Sequence, residues 1–191
     1  MALAENIHHL YTAEQYVALE QESDLRYEFY QGEVFAMAGG TMQHNLIIQN
    51  IATALRSLRS RGCHVFAENV KLEVVADEFY VYPDVMLTCQ PQDIADNRLA
   101  RYPCLVIEVL SESTEAYDRG KKLDRYLRMP SLQAYVIISQ KEFFVGCYER
   151  KGDFWSYRIL DQPEDLLRLE SLDWEMTLTQ VYEDIVFPKE D

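Results

Sequence analysis

Apolar and polar residues alternate along this chain with two different periods. From Tyr27 to Ala38 the pattern is short and strand-like, broken at Gln31-Gly32, which predicts a tight hairpin of two strands. Gly39-Gly40 ends it. Leu46, Ile47, Asn50, Ile51, Ala54, Leu55 and Leu58 then recur at helical spacing and predict a helix from about Met42 to Ser60, with Gly62 as its stop. Upstream, Thr12 and Gln15 form a capping-box pattern that opens a short helix through about Gln21.

Strands dominate the middle: Cys63 to Ala67, Val70 to Val75 and Phe79 to Thr88, followed by a long surface loop from Gln90 to Pro103. LVIEVL, Leu105 to Leu110, is a nearly unbroken apolar run, the mark of a central strand buried on both faces. A helix from about Tyr117 to Met129 stops before Pro130, and AYVIIS, Ala134 to Ser139, is a second buried strand. Strand, helix and strand in this order make a right-handed crossover, so the two strands are expected to be parallel neighbours. Phe143 to Glu149 and Phe154 to Leu160 predict a hairpin, and Thr179 to Ile185 a last short helix. The pattern predicts an α/β fold with a mixed sheet. With no repeat, low-complexity tract or Gly/Ser linker, the simplest organisation is one domain over residues 1–191.

The chemistry begins with two acids in apolar surroundings. Glu108 sits inside LVIEVL, and Asp84 follows Pro83 and precedes Val85, Met86 and Leu87. A carboxylate in a buried strand costs several kcal/mol unless it is paired or bound to a metal. Two such acids on adjacent strands make an oxygen-rich site of the kind that hard divalent cations prefer. Each could instead be salt-bridged or sit at a wet strand end. Asp118, Lys122 and Tyr126 fall at i, i+4 and i+8 and share one face of the helix that follows Glu108's strand. That face can point back at the acids, where a lysine can steady charge on a phosphate or help deprotonate a water; the alternative is a surface Asp–Lys pair. Arg119, Lys121, Arg125 and Arg128 surround Lys122 and make this the most basic stretch of the chain, either a phosphate-facing patch or a solvated helix face.

The elements YEFYQGEVFAMAGGTMQHN, YPDVML, LVIEVLSEST and DRGKKLDRY stand in this order at suitable spacings. Together they resemble the Uma-type restriction-endonuclease-like family, a branch of the PD-(D/E)XK nuclease superfamily, from about Arg26 to Ser139. The resemblance implies a restriction-endonuclease-like mixed β-sheet core flanked by helices. It implies an endonuclease in which acids on adjacent strands bind Mg²⁺, or Mn²⁺, and a lysine completes the site. Pro83-Asp84 matches the PD element and Glu108 the second acid. The lysine usual two residues after that acid is absent, for Leu110 stands there; Lys122 occupies the place to which this family moves it. Asp118 and Tyr126 match the same helical motif. Glu28 and Glu33 match the hairpin, with Glu28 the first choice as a third metal ligand, and His44 matches a histidine at the start of the long helix. Each of these could be structural.

Charge complicates this reading. The chain carries 32 acidic and 18 basic residues, a net charge of −14, whereas phosphate binders usually leave a basic footprint. The excess is uneven: residues 161–191 hold ten acids and two bases. A catalytically inactive nuclease-fold interaction protein is the main alternative, and a hydrolase of another substrate a further one. The expected partners are a nucleic acid, taken as DNA with RNA left open, and a second copy of the chain, homodimers being the commonest oligomers. No run approaches the ~18 apolar residues of a membrane span, and MALAENIHHL lacks a signal-peptide pattern, which points to a cytoplasmic protein. Cys63, Cys89, Cys104 and Cys147 show no zinc spacing and are expected to be reduced, mostly buried thiols. His8, His9 and His64 match no motif and are expected at the surface.

Overall fold

The structure is a computed structural model and describes residues 10–187 apart from 38, 97 and 113, so His8 and His9 lie outside the described residues. Helix α1 (Ala13–Glu22) opens on the expected capping box, Thr12 accepting from the Gln15 amide while the Gln15 side chain accepts from that of Thr12. Strands β1 (Tyr27–Tyr30) and β2 (Glu33–Ala36) form the hairpin. Gln31 and Gly32 both take positive φ, at 48° and 91°, as a tight two-residue connection requires. Thr41 caps α2 (Met42–Leu55). The helix expected to reach Ser60 tightens instead into a 3₁₀ segment, Arg56–Arg61, and stops at Gly62 in the left-handed region.

Next come β3 (His64–Ala67) and β4 (Lys71–Val75). The single strand expected over Phe79 to Thr88 is two strands, β5 (Phe79–Val81) and β6 (Val85–Thr88), in different sheets. Pro83, which lacks an N–H and cannot join a ladder from that side, marks the crossing point. The expected loop after β6 contains helix α3 (Pro91–Ala95) and strand β7 (Leu99–Ala100). It is anchored by buried Asp93, which accepts from the Thr88 hydroxyl and the amides of Arg101 and Tyr102.

Strand β8 (Leu105–Leu110) is buried along its whole length. A helical arm follows, made of α4 (Glu115–Tyr117), a π-helical turn Asp118–Lys122, and α5 (Leu123–Leu127). Strand β9 (Ala134–Ser139) runs parallel to β8, as the crossover predicts. Strands β10 (Val145–Lys151) and β11 (Phe154–Leu160) form the expected hairpin. A further hairpin, β12 (Leu166–Leu169) with β13 (Trp174–Thr177), was not expected, and α6 (Leu178–Val181) is shorter than predicted.

The larger sheet has the order β11-β10-β9-β8-β6-β3, and a second sheet the order β2-β1-β5-β4-β7. The period-2 alternation of strands sorts the core. Val85, Leu87, Leu105, Ile107 and Val109 face α2 and the β12–β13 hairpin with Ile47, Ile51, Leu55 and Trp174. Met86, Val106 and Leu110 face the opposite way, towards Tyr126 of α5 and Leu72, Phe79 and Val81 of the second sheet. Glu108 alternates onto this second face, so it meets the helical arm.

The cysteines depart from expectation. Cys63 and Cys89 form a disulfide, whereas Cys104 and Cys147 are free. The pairing follows from register: His64 lies opposite Thr88 in the antiparallel β3–β6 ladder, so Cys63 and Cys89 are the next residues across, with Cα atoms 4.0 Å apart. No helix among the described residues is long and apolar enough to cross a membrane.

Candidate active site

Asp84 and Glu108 are brought together by the β6–β8 ladder. Val85 pairs with Ile107, so Asp84 stands across from Glu108 just beyond the end of β6. The Asp84 amide donates to Glu108 Oε2 at 3.3 Å, and Asp84 Oδ2 accepts from the Val109 amide at 2.7 Å. His44, on the first turn of α2, places Nε2 3.2 Å from the same Asp84 oxygen.

The helical arm closes the other side. Lys122 Nζ lies 2.9 Å from Glu28 Oε1, 3.2 Å from Glu108 Oε1 and 3.3 Å from Asp118 Oδ1. The Tyr126 hydroxyl donates to Glu108 Oε1 at 2.9 Å. The π turn carries Asp118 and Lys122 at its two ends; such turns, rare within helices, recur at functional sites. Tyr135, from β9, pins this turn by donating to the Asp118 carbonyl at 3.1 Å. Glu28, Glu108, Asp118 and Lys122 are all less than a tenth exposed.

Electrostatics follow from that burial. Desolvation, joined by the like charges of Asp118, Asp84 and Glu28, pushes the Glu108 carboxyl well up, with Lys122 opposing. Glu28 and Asp118 are also raised, burial leading and Lys122 pulling back. Burial would depress the Lys122 ammonium, but Glu108, Glu28 and Asp118 outweigh it and hold the proton firmly. Burial likewise opposes protonation of His44, and its bond to Asp84 and the nearby acids reverse the balance, raising it.

Seven of the eight residues singled out in the sequence thus meet in one place: Glu28, His44, Asp84, Glu108, Asp118, Lys122 and Tyr126. Glu33 does not; it is exposed at the turn end of the hairpin. The basic stretch around Lys122 resolves as a set of satisfied side chains. Arg119 pairs with Glu115 and Arg128 with Asp124, Arg125 donates to the Tyr30 hydroxyl, and Lys121 stacks over the Tyr30 ring. Sequence reasoning missed Tyr117, whose ring lies 5.4 Å from Lys122 Nζ and whose hydroxyl is buried with no hydrogen-bond partner among the described residues. Its place immediately before Asp118 was the only signal.

As the side chains stand, no three His, Cys, Asp or Glu residues among those described close around a point that could hold an ion. The ammonium of Lys122 stands between the carboxylates. The donor set still suits a hard dication: three carboxylates face a single ammonium with a fourth, Asp84, beside Glu108, and Asp118 Oδ1, within ion-pairing distance of Lys122, is buried with no hydrogen-bond partner among the described residues.

Comparison with known proteins bears on the family and the fold. The Uma2 family model, described as "Putative restriction endonuclease", matches residues 13–179. An uncharacterized protein of Synechocystis sp. is 34% identical over 176 residues, covering 91% of this chain and 92% of that protein. A second uncharacterized Synechocystis protein is 32% identical over 145 residues, 74% of this chain and 82% of the relative. A crystal structure from Anabaena variabilis, described as "a putative nuclease belonging to DUF820", superposes with a TM-score of 0.76 at 17% identity, covering 92% of this chain and 99% of that one. At that identity the likeness speaks to the fold alone, the mixed α/β fold that the two chains share. The family match over most of its length makes this chain a member of the Uma2 family.

Proposed function

We propose that this chain is a Mg²⁺-dependent endonuclease that hydrolyses phosphodiester bonds in nucleic acid, DNA before RNA, with Mn²⁺ as a substitute ion. The observation that carries the reading is the convergence of Asp84, Glu108 and Lys122, from the end of β6, a central strand and a π turn, at one largely buried place in a chain of this family. Asp84, Glu108 and Glu28 would hold the ion. A divalent cation bound there lowers the pKa of a water and polarises a phosphate.

The remaining roles belong to the chain. Lys122 holds its proton among three carboxylates, which favours neutralising charge on the phosphate over acting as a base. Asp118, one turn before it, steers the ammonium. Tyr126 fixes one oxygen of Glu108, and His44 fixes one oxygen of Asp84, which leaves Asp84 Oδ1 for a ligand. For Lys122 to meet a phosphate, its contacts with Glu28 and Glu108 must be exchanged for contacts with the ion and substrate.

The test is conversion of supercoiled plasmid to nicked or linear DNA in Mg²⁺. The wild type is expected to cut, and Asp84→Ala to remain folded and inactive; cutting by that variant would overturn the assignment. A second reading, an interaction protein on a nuclease fold, is favoured by the net charge of −14. It predicts a folded chain whose melting temperature Mg²⁺ and Mn²⁺ leave unchanged. A cytoplasmic homodimer is the working form in either case, the dimer resting on the family resemblance and on the frequency of homodimers.

A further inference from the structure

The nuclease reading leaves one difficulty: an acidic chain must hold a polyanion. The basic stretch on the helical arm is less suited to it, because Arg119 and Arg128 are paired with acids and Arg125 and Lys121 are both drawn to Tyr30. A different surface suits it better. Between Glu33 and Glu68 the sequence runs 34 residues without an acid and includes Arg56, Arg59 and Arg61, in a chain that elsewhere has 32 acids.

The fold gathers this stretch into a groove of about 450 Å³ between α2, its 3₁₀ extension and β3, the edge strand of the larger sheet. Asn45, Gln49 and Ala52 of α2 and Arg56 at the start of its 3₁₀ extension, spaced 4, 3 and 4 apart, line it from one side. Arg59 continues the line, and His64 stands on the β3 side. Arg56 and Arg59 are exposed and have no ion-pair partner among the described residues, unlike Arg61, which is held by Asp173. One end of the groove meets the candidate active site. Asn45 adjoins His44, which contacts Asp84, and the Glu68 amide donates to the Asp84 carbonyl at 2.9 Å. The one acid lining the groove, Glu68, lies at that end and is engaged by Asn45.

We infer that this groove carries the phosphodiester backbone of the DNA strand leading away from the scissile bond, with Arg56 and Arg59 each neutralising a phosphate. The eleven residue steps from Asn45 to Arg56 span about 16 Å of helix axis, or about five nucleotide steps at 3.4 Å per strand. The inference rests on the nuclease reading for the identity of the partner but makes its own measurement.

That measurement is binding of a fluorescein-labelled DNA duplex to the intact chain in EDTA, where no cut occurs, over a range of salt. Loss of two phosphate contacts in Arg56→Ala/Arg59→Ala is expected to weaken binding at low salt. It should also lower the slope of log affinity against log salt by about 1.8, at about 0.9 per contact. Arg56→Lys/Arg59→Lys keeps both charges and is expected to keep the slope, which separates lost charge from a damaged fold. Arg128→Ala, on the arm and paired to Asp124, should leave the slope unchanged. An unchanged slope in the double alanine variant, an equal fall in Arg128→Ala, or no binding by the wild type at low salt would overturn the inference. Plasmid cutting with an unaltered slope removes the groove and spares the nuclease reading; arginine-dependent binding without cutting does the reverse.

Discussion

Lys122 Nζ stands 3.2 Å from Glu108 Oε1 in a place where neither residue is more than one-twentieth exposed. The two come from different elements, a π turn and a central strand, and each neutralises charge that burial would otherwise make intolerable. Removing one partner of a buried pair strands the other. Lys122→Met is therefore expected to destabilise the metal-free chain by about 3 to 5 kcal/mol, the usual cost of orphaning a buried charge. Urea denaturation measures it. Mg²⁺ should restore part of the loss by supplying positive charge to the same carboxylates, and a variant as stable as wild type would show that Lys122 does not hold the cluster together.

The same cluster sets a pH dependence. Glu28, Glu108 and Asp118 bind protons more tightly in the fold than in the unfolded chain, burial being the leading cause in each. A group with a raised folded pKa contributes stability that is lost as pH rises from its ordinary value, 4.5 for Glu108, through its folded value. His44 acts in the same direction from 6.5 upward. The melting temperature of the metal-free chain should thus climb as pH is lowered from neutral towards about 5. Relief of general acidic repulsion adds to this, so the diagnostic result is the difference between proteins: Glu108→Gln flattens the climb. Identical slopes in the two would mean that Glu108 titrates normally.

The cysteines give a covalent prediction. Burial pushes the Cys104 and Cys147 thiols up to about 11, so neither forms a thiolate readily at neutral pH. Mass spectrometry after alkylation should find no labelled cysteine in the folded oxidised chain, two after unfolding in urea, and four after unfolding with reductant. Opening the Cys63–Cys89 link, which closes a loop across a sequence separation of 26, is expected to cost about 3.5 kcal/mol on the chain-entropy account. Four labels without reductant would show that the link does not form in solution.

Much of the site was legible in the sequence because it breaks local rules. A lone acid in LVIEVL and another after Pro83 have no place in apolar strands, and the i, i+4, i+8 spacing of Asp118, Lys122 and Tyr126 survived even the π turn. What was illegible depended on distant parts of the chain. Phe79 to Thr88 reads as one strand because nothing local announces that β5 and β6 join different sheets. The Cys63–Cys89 link needs the β3–β6 register. The β12–β13 hairpin buries Leu167 and Leu169 against Trp174 and Met176, but its four-residue strands lie in the most acidic part of the chain and give too short an alternation to read. Glu33 illustrates the opposite error: it shares the hairpin with Glu28, yet at the turn it faces solvent.

The central claim is that this carboxylate cluster loads a divalent cation, and calorimetric titration of Mg²⁺ and Mn²⁺ into the folded chain, with and without a DNA duplex, tests it most directly. Binding by the wild type that is lost in folded Glu108→Gln is the predicted result. A folded wild type that takes up neither ion, even with DNA present, would contradict the account and leave Lys122 as the permanent occupant of a site that no longer binds metal.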